Sequence, residues 1–206
     1  TAHALADPYH CDQVNVMGSV NLLDAIRERI PAARVVFASS NIVYGSPNPY
    51  WASKCAMEEY LEAYRHVYGL NTIALRYSNV YGPGMPWLDP ICLASMRRSA
   101  FERGYIELTG DGSQSRDFTH VHDIVEQTIE AAKVPLTGVY DLSSGEHLSM
   151  FAAASYFGVP VRLIPERIGD TQKIAQGFRA VAPGWHPRAF ADGIRDVLAE
   201  VPLVID

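Results

Sequence analysis

The chain has 206 residues, a net charge of −6 and a pI near 5.6, with 48% hydrophobic and 19% charged residues. That length suits one domain, or one domain with a small lobe, and the composition is that of a folded protein. No apolar run approaches the ~18 residues of a membrane span, the start Thr1-Ala2-His3-Ala4 lacks the order of a signal peptide, and no basic cluster beyond Arg97-Arg98 suggests nucleic acid.

Asp7-Pro8 reads as a helix start, an N-cap acid followed by Pro at the first helical position. Val14, Met17, Val20, Leu23, Ile26 and Ile30 recur at helical spacing, which predicts one helix over 8–29 with a single apolar face, stopped by Pro31. Gly18 in its middle suggests close packing against a neighbour. Residues 34–39 form an apolar run with adjacent valines, the pattern of a strand covered on both faces. A helix over 50–68 ends at Gly69, and 71–77 is the next strand. Alternating helices and strands predict right-handed crossovers and a parallel sheet.

Asp89-Pro90 starts a further helix that stops at Gly104, and a short strand is expected over 105–109. A polar turn over 111–116 leads into 117–121. Asp123 with Glu126 resembles a capping box for a helix over 124–133. Gly138 to Leu142 is a third strand for the main sheet. A helix near 149–157, a strand near 161–164 and a helix near 190–199 complete the reading. Cys11, Cys55 and Cys92 lack metal spacing and read as buried or free thiols of a reducing compartment. His120 and His122 alternate as on one strand face, but no third ligand is evident, and no metal is expected.

The chemistry concentrates in residues 38–54, where a strand ends in Ser39-Ser40 and a helix opens with Tyr50 and Lys54 one turn apart. A free phenol has a pKa of about 10, too high for a base near neutrality. A lysine four residues on lies beside it on the helix and favours the phenolate. Such a phenolate can take a sugar hydroxyl proton, with the serine hydroxyl orienting or relaying it. With eleven Tyr and three Lys, some Tyr-x-x-x-Lys arises by chance roughly once in six such compositions, so the context of the Ser-ended strand carries the reading over that of a surface pair.

Several segments together resemble the extended short-chain dehydrogenase/reductases, the NAD-dependent nucleotide-sugar epimerases and dehydratases. Val14-Asn15-Val16-Met17-Gly18 looks like the helix that supplies a nicotinamide-side Asn, here Asn15. Ser39-Ser40-Asn41-Ile42-Val43-Tyr44-Gly45 looks like the active-site strand end, with Ser40 at the catalytic Ser/Thr position, and Tyr50 and Lys54 match the base and its partner. Leu75-Arg76-Tyr77-Ser78-Asn79-Val80-Tyr81-Gly82 is similar to the strand end whose Asn, here Asn79, contacts the nucleotide-sugar diphosphate. Tyr77 and Ser78 fall on its cofactor side. Gly110 to Phe118 resembles the turn whose Arg, here Arg116, pairs with that diphosphate, and Arg167-Ile168-Gly169-Asp170 the loop whose Arg and Asp hold phosphate and ribose. Arg is suited to bidentate bonds with phosphate. Surface salt bridges for Arg116 and Arg167 and a turn cap for Asn79 are the structural alternatives.

The resemblance implies an α/β fold: a partial Rossmann-like parallel sheet with helices on both faces, plus a small C-terminal α/β substrate lobe. It assigns 1–80 and about 117–145 to the core and about 85–116 and 146–206 to the lobe. It implies NAD as cofactor, a UDP-sugar or other nucleotide sugar as substrate, pairing into a homodimer through helices near 8–29 and 50–68, and a cytoplasmic setting. The family's opening Gly-x-x-Gly-x-x-Gly turn has no counterpart in these residues. The expectation is therefore a fragment or a truncated protein, without that cradle of backbone N–H groups for the pyrophosphate and with an apolar strand edge at 34–39. Ser40 and Tyr50 are only ten residues apart where the family places some two dozen, so the intervening segment has to return close to where it leaves. Asn41 and Ile42 stand where the family's dehydratases and decarboxylases carry acids, which favours 4-epimerisation of the UDP-glucose/UDP-galactose type. The alternatives are a silent nucleotide-sugar-binding or dimerisation module and a reductase or dehydratase of the same family.

Overall fold

The structure is a computed structural model that describes residues 2–88, 92–165, 181 and 184–200. It opens with α1 (Ala2–Ala6) and α2 (Pro8–Asp12). The Asp7 side chain accepts from the His10 N–H at 2.9 Å, and Pro8 sits in the first turn. Residues Gln13–Met17 wind as a π turn before α3 (Gly18–Arg29). A π turn carries an extra residue and rotates the preceding side chains about the axis. The expected stripe is broken accordingly: Val16 and Leu23 are buried, whereas Val14, Met17 and Ile30 are at least half exposed. Gly18 does not mark a close neighbour, since a Cβ there would meet only the Gln13 carbonyl oxygen at an ordinary 3.6 Å.

There follow β1 (Arg34–Ser40), α4 (Pro49–Tyr68), β2 (Asn71–Tyr77), β3 (Asn79–Tyr81), α5 (Cys92–Arg103), β4 (Ile106–Thr109), β5 (Ser115–His120), α6 (Val121–Lys133), β6 (Gly138–Leu142), β7 (His147–Ser149), α7 (Met150–Ser155), β8 (Val161–Ile164) and α8 (Phe190–Ala199). α4 is delimited at both ends by sequence. Asn48 accepts from the Trp51 N–H at 3.0 Å, and Gly69 closes the helix with φ of 69°, a left-handed conformation that glycine adopts without a Cβ clash.

The main sheet runs β1–β2–β6, all parallel, with Ser40 opposite Tyr77 and Tyr77 opposite Leu142. β2 is central, and its side chains alternate between two apolar layers. Ala74 packs with Val16, Leu23, Met57, Leu61 and Leu70 on the α3–α4 side. Ile73 and Leu75 pack with Ile124, Ala131 and Leu142 on the α6 side. β1 is an outer strand among the described residues, and of its side chains only Ser39 is fully buried, so it is less covered than its valines predict.

Beyond β2 the chain builds two further small sheets, β3–β5–β7 and β4–β8. Their core is Tyr81, Phe118, Phe190, Ile106, Ile194 and neighbours. α6 begins at Val121, three residues before the predicted start. Its cap is His120, whose Nδ1 accepts from the His122 N–H at 3.3 Å, and not Asp123. Asp123 Oδ2 instead accepts from the Arg188 N–H at 2.9 Å, tying the segment before α8 to α6. His120 therefore ends a strand and His122 lies in a helix, so the two do not share a strand face.

Gly193 in α8 is required by packing. A Cβ there would stand 2.3 Å from the Tyr81 hydroxyl and 2.9 Å from His120 Cδ2, both fully buried side chains. Gly193→Ala is expected to destabilise the fold by about 1–3 kcal/mol through overpacking, despite alanine's better helix propensity. A thermal melt of the variant checks this, and an unchanged or raised Tm contradicts it.

Candidate functional site

The C-terminal ends of parallel strands are where α/β sheets place ligands. Here those ends are Ser40, Tyr77 and Leu142. Ser40 Oγ accepts from the Ile42 N–H at 3.2 Å and caps a single 3-10 turn, Asn41–Tyr44. Two side chains hold that turn against the body. Trp51 Nε1 donates to the Val43 carbonyl at 3.0 Å, and the Tyr44 hydroxyl lies 2.8 and 2.9 Å from the two Asp141 oxygens. The segment between Ser40 and Tyr50 thus leaves and returns at nearby points, and both side chains line one cavity. The short connection keeps the two groups together.

Burial pushes the Tyr50 phenol above its ordinary pKa, against the lowering effect of the Ser40 hydrogen bond. Lys54 is pulled below the usual lysine value by burial, which the nearby Cys11 opposes. Its Nζ donates to the Ala38 carbonyl at 2.9 Å and lies 5.6 Å from the Tyr50 ring centre. In the free chain, then, burial sets the direction for the phenol, and the effect that opposes it comes from Ser40.

Ser40, Tyr50, Lys54, Tyr77, Ser78 and Asn79 line one cavity of about 470 Å³. Asn15 reaches α4: its Nδ2 donates to Ser53 Oγ at 3.0 Å, and Ser53 Oγ donates to the Tyr50 carbonyl at 2.9 Å. The Tyr77 hydroxyl bonds Thr128 Oγ1 at 2.8 Å. Ser78 Oγ donates to Asp117 Oδ1 at 3.0 Å, and Asn79 Nδ2 donates to the Asp117 carbonyl at 3.0 Å. Asp117 is fully buried and also accepts from the N–H groups of Ser144 and Gly145, at 2.9 and 2.7 Å. Sequence reading did not single it out, although a carboxylate flanked by Arg116 and Phe118 in a strand was a signal, because a buried carboxylate needs several donors.

Arg116 lies in a second cavity, of about 410 Å³, together with Arg98 and Arg103. Its guanidinium donates to the Ser115 carbonyl at 2.9 Å and to Gln114 Oε1 at 3.1 Å. Arg98 and Arg103 were not anticipated as its companions, because α5 brings them there from a separate segment. Arg167 and Asp170 lie outside the described residues.

The sequence profile of the NAD dependent epimerase/dehydratase family matches residues 2–141. The chain belongs to this family. It is 30% identical over 213 residues to UDP-glucose 4-epimerase of Mycolicibacterium smegmatis, covering 91% of this chain and 68% of that protein. Among solved structures, UDP-glucose 4-epimerase of Thermus thermophilus in complex with NAD superposes with a TM-score of 0.81 at 30% identity, over 94% of this chain and 71% of that one. The dTDP-glucose 4,6-dehydratase DesIV of Streptomyces venezuelae, with NAD bound, gives 0.83 at 25% identity, over 96% and 68%. The chain spans between 33% and 72% of the length of the relatives it matches. Members of the family that epimerise and members that dehydrate are thus both similar to it. No helix among the described residues is long and apolar enough to cross a membrane.

Proposed function

We propose that the chain carries the catalytic and substrate-binding part of an NAD-dependent nucleotide-sugar 4-epimerase of the UDP-glucose/UDP-galactose type. The observation that carries this reading is that Ser40, Tyr50 and Lys54 line one cavity at the end of β1. In this reading Tyr50 takes the proton of the sugar C4 hydroxyl and returns it when the opposite epimer forms, while Ser40 orients the same hydroxyl. Asn79 and Arg116 hold the diphosphate. Asn41 and Ile42, at the head of the turn, offer no acid for eliminating water, which supports epimerisation over dehydration.

The residues that would hold the nicotinamide end of NAD are Ser40, Tyr50, Lys54, Tyr77 and Ser78, with Asn15 bracing the turn that carries Tyr50. The fit rests on Lys54: the Ala38 carbonyl takes one of its three N–H groups, and the remaining donors suit ribose hydroxyls. When bound, NAD supplies the hydride acceptor and donor for C4. The same reading pairs two copies through the helices at 8–29 and 50–68, and the exposed Met17, Leu22, Ile30, Tyr60 and Val67 support such a surface.

Incubation with NAD and UDP-glucose, followed by proton NMR of the sugar, is expected to show UDP-galactose at the expense of substrate with no net reduced cofactor. Binding of UDP-glucose without any 4-epimer overturns the reading in favour of a silent nucleotide-sugar-binding module. A 4-keto-6-deoxy product overturns it in favour of a dehydratase.

A further inference from the structure

Among the described residues, one side chain lines both cavities: Cys92, the first residue of α5. On one side of it stand Asn79, Val80 and Phe118 with the Ser40–Tyr50–Lys54 group. On the other stand Arg98 and Arg116, with Arg103 paired to Glu107 at 3.0 Å and Glu102 on the same wall. The thiol is fixed by its surroundings. It packs against the core around Phe118, and its Sγ lies 3.5 Å from Met150 Sδ, itself on the wall of the arginine-lined cavity.

We infer that Cys92 is the sizing residue of the substrate channel: a nucleotide sugar lies across both cavities, and the bulk at position 92 decides whether its diphosphate-linked sugar can pass from the arginines to Tyr50. This deepens the reading of the chain as a nucleotide-sugar enzyme and rests on it. The chemistry of the two compartments supports the arrangement. The Arg98 and Arg116 guanidinium groups suit one phosphate and Asn79, just across Cys92, suits the sugar-linked one, while the Tyr50 cavity beyond offers hydroxyl and phenol groups suited to a sugar. A ligand that satisfies both has to extend past the one side chain they share. Burial pushes the Cys92 thiol up to about 12, with Arg116 opposing. The thiol therefore stays neutral and poorly nucleophilic at physiological pH, which suits a small apolar spacer and not a reactive group.

The test is calorimetric titration of the parent chain and of Cys92→Ala, Cys92→Leu and Cys92→Phe with two probes. UMP reports the arginine-lined cavity alone, and UDP-glucose reports a ligand that spans both. UMP affinity is expected to stay within about threefold across the series, while UDP-glucose affinity falls with side-chain size, by about tenfold or more in Cys92→Phe relative to Cys92→Ala, as steric exclusion requires. Near-ultraviolet circular dichroism establishes that each variant is folded, and Cys92→Leu supplies the milder increment if the aromatic variant is not. Equal UDP-glucose affinities in the folded variants, or a loss of UMP binding that matches the loss of UDP-glucose binding, overturns the inference. These titrations need no turnover. A parent chain that binds UDP-glucose and makes no 4-epimer refutes the epimerase reading, yet the two affinities still decide the role of Cys92.

Discussion

Tyr50→Phe is expected to lower the rate of 4-epimer formation by about 10²–10⁴-fold, the range for loss of a general acid–base group. The variant keeps the ring, and with it the packing beneath Lys54 and on α4, so UDP-glucose affinity should change little. A fall in kcat with KM nearly unchanged is the signature of an interaction made only in the transition state. The pH profile gives a second reading. Burial holds the phenol above its ordinary pKa in the free chain, and the base is active only when ionised. The parent rate should therefore climb with pH on the basic limb, and the residual rate of Tyr50→Phe should lack that climb. Positive charge near the phenol in the loaded enzyme shifts the limb to lower pH without changing its sign. Wild-type kcat in Tyr50→Phe would remove Tyr50 from the chemistry.

How much of this was legible in the sequence depended on whether the signal was local. The C-terminal end of α4 was readable because Gly69 acts within one turn of the helix it delimits, whereas the Asn48 cap, which sets the start one residue before the expected one, was not singled out. β2 was readable because its Ile73-Ala74-Leu75 centre, buried on both faces, is apolar throughout. β3 and β7, three residues each, were too short to produce an alternation. The π turn at Gln13–Met17 was invisible to a reading that assumes a uniform 3.6-residue period, and it reassigns the buried face from Val14 and Met17 to Val16. The cap of α6 was misplaced because His120 is not among the usual cap residues, whereas Asp123 and Glu126 have the spacing of a capping box.

The site divides along the same line. Ser40, Tyr50 and Lys54 were legible because strand end, turn and helix opening adjoin in the chain. Whether the turn over 41–49 brought them together was not, because it depends on Tyr44, Arg76 and Asp141, which come from three separate elements. The arginines around Arg116 are separated from it in sequence, and α5 supplies them only once it packs beside β4.

That dependence gives the largest stability effect expected here. Arg76→Met is expected to cost about 3 kcal/mol, which in a domain of this size lowers Tm by roughly 6–12 °C. Arg76 makes a two-pronged pair with Glu58, Nε to Oε1 at 2.9 Å and the second nitrogen to Oε2 at 2.6 Å. Those bonds raise the guanidinium above its ordinary value, with burial opposing. The Glu58 side chain is 8% exposed and that of Arg76 21%. Without Arg76 the carboxylate keeps, among the described residues, only the Ser39 hydroxyl at 2.5 Å and is left buried and uncompensated. The partial exposure of Arg76 places the cost at the lower end of the range for breaking a buried pair. Replacing both partners removes the stranded charge, so Arg76→Met/Glu58→Leu should recover much of the loss, and a double-mutant cycle reads the coupling. A double variant as unstable as the single one would show that the carboxylate is not what makes the loss expensive. The effect also reaches the chemistry. Arg76 donates to the Tyr44 hydroxyl at 2.7 Å, and Tyr44 ends the turn that Ser40 caps. The double variant should therefore regain stability while regaining kcat only in part, because neither replacement bonds the Tyr44 hydroxyl and the short turn that brings Ser40 to Tyr50 is left to Asp141 and Trp51 alone of the partners described above.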